Sequence, residues 1–104
     1  MNHGFKVNDI LVAKFGYNCT LVRFYKVLKV TETQIQFVEI DSQMVDHDGY
    51  GQAGHVMPLE IDIVGKKIIR RKVYVNGDYV SVKVDDYIWA KKWDGNKVHF
   101  DSYD

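Results

Sequence analysis

The chain has 104 residues, 46% of them hydrophobic and 27% charged, with 14 basic and 14 acidic side chains in balance. This composition excludes a disordered or collagen-like chain, and the length suits a single domain, 1–104, with one modest core. No apolar run approaches the roughly 18 residues of a membrane span, and the single Cys19 leaves no internal disulfide framework. No charged-then-apolar signal stretch opens the chain, so a soluble, cytoplasmic protein without membrane partners is expected.

Residues 1–6 read as a frayed start, and Val7-Asn8-Asp9 as a turn, because Asn and Asp side chains bond nearby backbone groups. Ile10 to Phe15 is the first strand, followed by a loop at Gly16-Tyr17-Asn18-Cys19. Thr20 to Val30 is the longest strand candidate, yet neither of its faces is apolar throughout. A bulge near Lys26 would switch the buried set from one parity to the other. Thr31-Glu32-Thr33 is a tight connection to a strand from Gln34 to Ile40.

Residues 41–54 read as a long acidic loop, rich in Asp and Gly. His55 to Ile63 resumes an apolar run, with Pro58 arguing for an edge strand or an irregular segment. Tyr74-Val75-Asn76-Gly77-Asp78-Tyr79 is the clearest hairpin signal, since a two-residue Asn-Gly turn satisfies the positive φ that the turn requires. That register sets Val73 opposite Val80 and Ile69 opposite Val84 on the core side. The other side then pairs Tyr74 with Tyr79, Lys72 with Ser81 and Arg70 with Lys83. At most one short helix is expected, near residues 86–93, with a strand through Tyr87-Ile88-Trp89 as its alternative. Val98 to Tyr103 closes the sheet. Six or seven short strands punctuated by turns predict a mainly β fold, a small antiparallel SH3-like barrel or sandwich.

Three segments carry a family pattern. Asp9-Ile10, Phe15-Gly16-Tyr17-Asn18-Cys19-Thr20 and Phe24-Tyr25-Lys26-Val27 are similar to an opening Gly-Asp-Ile, Trp-Gly-Tyr-Asp-Gln-Thr and Phe-Tyr-Gln-Val. Arg70-Arg71-Lys72-Val73 with Tyr79-Val80-Ser81-Val82, and Trp93-Asp94-Gly95-Asn96-Lys97 with Ser102-Tyr103, resemble its middle and closing segments. The chain thus resembles a family of small uncharacterised proteins of bacteriophages and integrated mobile elements. It departs at Phe15 (Trp there), Asn18-Cys19 (Asp-Gln there), Asn8 (Gly there) and the inserted Asn96. The resemblance implies a phage or mobile-element origin, and brings no activity, cofactor or catalytic residue.

The balanced charge hides a segregation. Residues 1–29 carry a net +4, residues 30–65 a net −7 with no Lys or Arg, and residues 66–104 a net +3. The blocks either neutralise one another across the folded surface or orient a partner. Lys67, Arg70, Lys72, Tyr74, Tyr79 and Lys83 form the candidate binding set, with cations for phosphates and rings for stacked bases. A charge-protected edge hairpin is the alternative for the same residues. Asp41, Asp46, Asp48, Glu60 and Asp62 form a candidate acidic patch. Tyr17, Tyr25, Trp89 and Trp93 are core by default, and a protein-binding surface if exposed. Asp46-His47-Asp48 with His55 matches no standard metal spacing, and Cys19 has no fixed base among His47, His55 and His99.

The expectation is therefore a non-enzymatic accessory protein without cofactor, acting on a host macromolecule, a defence nuclease such as a CRISPR effector being one target. A nucleic-acid-binding module built on residues 66–83, and a pocket for a nucleotide signal, are the alternatives. A homodimer through a strand edge or the aromatic cluster is compatible with either.

Overall fold

The computed structural model describes residues 4–15, 21–47, 53–59, 67–77, 79–85 and 88–101. These form eight strands and no helix: β1 (Ile10–Phe15), β2 (Leu21–Val30), β3 (Gln34–His47), β4 (Ala53–Leu59), β5 (Ile69–Asn76), β6 (Tyr79–Asp85), β7 (Ile88–Lys92) and β8 (Val98–Asp101). Every pairing is antiparallel. The expected all-β antiparallel fold is thus what forms. Residues 88–92 take the strand alternative rather than a helix.

The pairings β1–β2–β3–β5–β6–β7, and β7 back to β1, close into a ring. β3 is the pivot. Its first part pairs with β2 and β5 inside the ring, and from Asp41 onward it pairs with β4, which carries β8. A second, smaller sheet therefore hangs off one strand of the ring.

Side chains alternate across a strand, so a strand covered on both sides must fill two cores. Leu11, Ala13, Tyr25, Val27, Ile35, Phe37, Val73, Val82 and Ala90 fill the ring. Val12, Phe24, Val38, Ile40 and Val56 fill the space between the ring and the second sheet. Each large apolar side chain so buried contributes about 2 kcal/mol. This double duty explains why neither parity of β2 is apolar throughout. The register slips between Val27 and Lys29, next to the expected position, and the ring-facing set changes from Tyr25 and Val27 to Val30.

The turns follow local chemistry. The Asp9 carboxylate accepts the Lys6 N–H at 2.7 Å, with Asn8 at φ +76°. The Thr31 hydroxyl accepts the Gln34 N–H at 3.1 Å and ties β2 to β3.

Three expectations need correction. Residues 41–47 and 53–54, expected as loop, continue β3 and open β4, because a strand can be held by its backbone ladder to its neighbour even where side chains such as Met44 and Val45 are exposed. Residues 48–52 lie outside the described residues. Phe5, expected in a frayed start, is 2% exposed and joins the ring core; a single apolar residue outside any periodic pattern gives no signal of burial. The β5–β6 hairpin pairs Asn76 with Tyr79, so Asn76 still belongs to the ladder and the turn begins at Gly77 rather than at Asn76. Gly77, at φ +62°, takes the first left-handed turn position at no steric cost. Val73 then faces Val82 and Tyr74 faces Ser81, so the expected pairing partners all move.

Candidate functional site

The corrected register sets the outer face of the ring. Val73, Val82 and Ala90 point inward. Lys72 and Tyr74 on β5, Ser81 and Lys83 on β6, and Trp89 and Lys91 on β7 therefore point outward. Lys83 lies directly opposite Trp89. The rings of Tyr74 and Trp89 meet across β6, edge to face, with centroids 5.2 Å apart and planes at 72°. Both stay exposed, at 46% and 44%, while Ser81 between their strands is only 5% exposed. The Lys72 ammonium stands 5.9 Å from the Tyr74 ring centroid, a weak cation–π contact.

A groove of about 460 Å³ adjoins this pair, lined by Gln34, Arg70, Arg71, Lys72, Tyr74 and Lys83, with Val84 and Asp85 completing it. Arg71 is committed to the backbone: its Nε and Nη2 donate to the Val84 carbonyl at 3.3 and 3.2 Å, and Nη1 to the Arg70 carbonyl at 2.8 Å. It braces the place where β5 parts from β6. Arg70 and Lys72 are exposed and Lys83 is half-buried.

Of the expected binding set, Arg70, Lys72, Tyr74 and Lys83 come together at this groove. Lys67 is exposed ahead of β5 and does not line it. Tyr79 is 53% exposed at the hairpin tip, opposite Asn76. The ring partner of Tyr74 is Trp89, which sequence reasoning placed in a separate aromatic group. The alternation Trp89-out, Ala90-in on a strand beside Ser81-out, Val82-in was the available signal.

The aromatic set divides. Tyr25 is 1% exposed and belongs to the ring core, edge to face on Phe37 at 5.3 Å, which corrects its place in a surface group. Burial, and then Glu39, raise its phenol pKa above 10.0, with Arg23 opposing. Its hydroxyl makes no hydrogen bond of good geometry among the described residues, although Arg23 is close enough to lower the phenol pKa. Trp93 is half-buried against Phe24 at 6.1 Å, its indole N–H donating to the Asn96 carbonyl at 2.6 Å. Tyr17 lies outside the described residues.

The acidic set divides too. Asp41 is exposed on β3; Asp48, Glu60 and Asp62 lie outside the described residues. Asp46 is bound on both oxygens, to His55 Nδ1 and to Lys97 Nζ, each at 2.7 Å. The Lys97 hydrogen bond, then that of His55, holds its pKa down at about 2. His55 lies opposite His99, ring centroids 5.5 Å apart. Among the described residues no three His, Cys, Asp or Glu side chains form a group able to hold a metal ion.

The two charged regions are therefore chemically different. Around Asp46, acid and base satisfy one another. On the outer β5–β6–β7 face, ammonium and guanidinium groups stand beside two exposed rings. Such a surface can hold phosphates electrostatically and stack flat groups. No family model, no curated protein and no solved structure matches the chain.

Proposed function

We propose that the protein is a non-enzymatic binding domain whose outer β5–β6–β7 face takes single-stranded nucleic acid. The observation that carries this reading is the exposed Tyr74–Trp89 pair, with Lys72 and Lys83 beside it. Rings left in water at this exposure, in a ring of strands that buries Tyr25 and Phe37 completely, suit a partner with flat faces of its own. Stacking is tolerant of base identity, and the flanking cations need only a backbone of phosphates. A single strand fits better than a duplex, because stacking requires bases free of their partners.

The test is fluorescence anisotropy of labelled oligothymidylate and oligouridylate at low ionic strength, followed by salt titration. Three phosphate contacts, from Arg70, Lys72 and Lys83, predict log K falling against log salt with a slope of about −2. Absence of binding at low salt would remove the reading.

A second reading keeps the same face and changes the partner. Exposed Trp and Tyr beside Arg are also the chemistry of protein hot spots. The resemblance to phage and mobile-element proteins then favours a host macromolecule in the bacterial cytoplasm, a defence nuclease being one such target. Pull-down from a bacterial host separates the two: a nuclease-sensitive catch favours the first, one stoichiometric protein the second.

A further inference from the structure

The outward face does not stop at β7. Val12 of β1 lies opposite Lys91 of β7, with Leu11 and Ala13 turned into the ring, so the outward side of β1 carries Val12, buried in the second core, and Lys14, exposed beyond it. A second groove of about 420 Å³ opens there, lined among others by Lys14, Lys91, Lys97, His99, Tyr79 and Trp93. Its cations are not equivalent. Lys92, also in the lining, bonds the Gly4 carbonyl and stands 3.5 Å from Asp9, and Lys97 is held by Asp46 at 2.7 Å. Lys14 and Lys91 make no hydrogen bond or close ion pair among the described residues, Lys91 feeling the charge of Asp94 at longer range.

The groove also has a fixed aromatic wall. The Trp93 backbone N–H donates to the Ile10 carbonyl at 2.8 Å, and its indole is clamped by Asn96 and Phe24. The turn beyond it is closed by Asp94, whose carboxylate accepts the Asn96 N–H at 2.9 Å, with Gly95 at φ +91°. Asp94 is the one carboxylate in the described lining and is occupied by that turn.

We infer that this groove is a second subsite for the same ligand: phosphodiesters of a single strand leaving the Tyr74–Trp89 pair pass to Lys91 and Lys14, and a base is laid against Trp93 and Tyr79. The inference rests on the reading of the first face given above. β5 and β1 stand three places apart in the ring of six strands, so an outer path between them is longer than the roughly 14 Å of three flat strand spacings. A strand occupying both subsites therefore spans about four nucleotides or more, the lower end of what a small β domain holds.

The chain's two tryptophans report the subsites separately, Trp89 in the first and Trp93 in the second. Trp89→Phe keeps a stacking ring and leaves Trp93 as sole reporter. In that variant, oligothymidylate of about ten nucleotides is expected to quench emission, and one of about three to leave it unchanged. Lys14→Ala/Lys91→Ala is expected to weaken the long oligomer about tenfold and the short one hardly at all. Both lysines are exposed, so the double variant should fold, which circular dichroism checks. If Trp93 ignores the long oligomer and the lysine variant binds it normally, the second subsite is overturned while the first face stands. Quenching of Trp93 by a free mononucleotide at the same concentration would mean that the groove takes a separate ligand, and also overturns it. Failure of every oligomer to bind at low salt removes both.

Discussion

The outer face of β5–β6–β7 and the sheet formed by the second part of β3 with β4 and β8 hold charged side chains in opposite conditions. On β3–β4–β8, Asp46 accepts from His55 and Lys97, and His55 packs against His99. On the outer face of β5–β6–β7, Lys72 and Lys83 stand beside Tyr74 and Trp89, and Arg71 at the groove is bound to the backbone. The chain's zero net charge thus conceals an uneven pairing. Part of the acidic block is answered locally, by Lys97 from the distant C-terminal third, and the cations of the ring's outer face keep their field. Net charge alone is a poor guide to such a surface, because what a phosphate senses is the unpaired charge within about one Debye length.

The contrast is broken most severely by reversing charge on the ring. Lys72→Glu/Lys83→Glu should weaken single-strand binding on the order of 100-fold, since two attractive contacts become repulsive. Anisotropy reads this, and retained circular dichroism shows that the strands survive. Next comes Trp89→Ala, expected to cost about tenfold or more in affinity, in line with ~1–3 kcal/mol per stacked base. Its effect should persist at high salt, where the lysine effect fades.

A smaller change tests the ring's interior. Tyr25→Phe removes a buried hydroxyl that makes no hydrogen bond of good geometry among the described residues, Arg23 notwithstanding, and should raise stability by up to about 1 kcal/mol in urea unfolding, with binding unchanged. A loss of stability would mean that the hydroxyl is satisfied.

The smallest effect concerns Asp46. Its folded pKa, about 2, is depressed from 3.8. A depressed carboxylate stabilises the fold above its unfolded pKa, and that contribution disappears as pH falls from about 4 through about 2. Amide exchange should therefore rise selectively at β3–β4–β8 in this window, and Asp46→Asn should abolish the selectivity. Affinity for a short oligomer near neutral pH should not respond to that variant, because Lys97, which Asp46 holds, lines only the second groove.

Sequence patterns revealed part of this and missed part for identifiable reasons. β1, β2, the 31–33 turn and the start of β3 were legible because turn chemistry and apolar periodicity agreed. The doubtful faces of β2 were informative in themselves: a strand serving two cores cannot alternate cleanly, and the bulge at Val27/Lys29 marks the handover. The 41–47 strand was illegible because its side chains are polar or exposed and the stabilising ladder lies on β4. The hairpin was found but slipped by one turn position, since Asn76-Gly77 and Gly77-Asp78 both satisfy a two-residue turn. That slip hid the site, separating Tyr74 from its true neighbour Trp89 across β6. The cations were legible as a cluster; which of them were already answered depended on contacts such as Lys97–Asp46, 51 residues apart in sequence.

The central claim is that the ring's outer face, and not the β3–β4–β8 sheet, receives the ligand. Backbone amide shifts followed by NMR during titration with oligothymidylate at low salt test it most directly. Perturbations are expected at Lys72–Tyr74, Ser81–Lys83 and Trp89–Lys91, with His55 and Asp46 unmoved. Shifts centred on Asp46 and His55, or none anywhere at saturating oligomer, would contradict it.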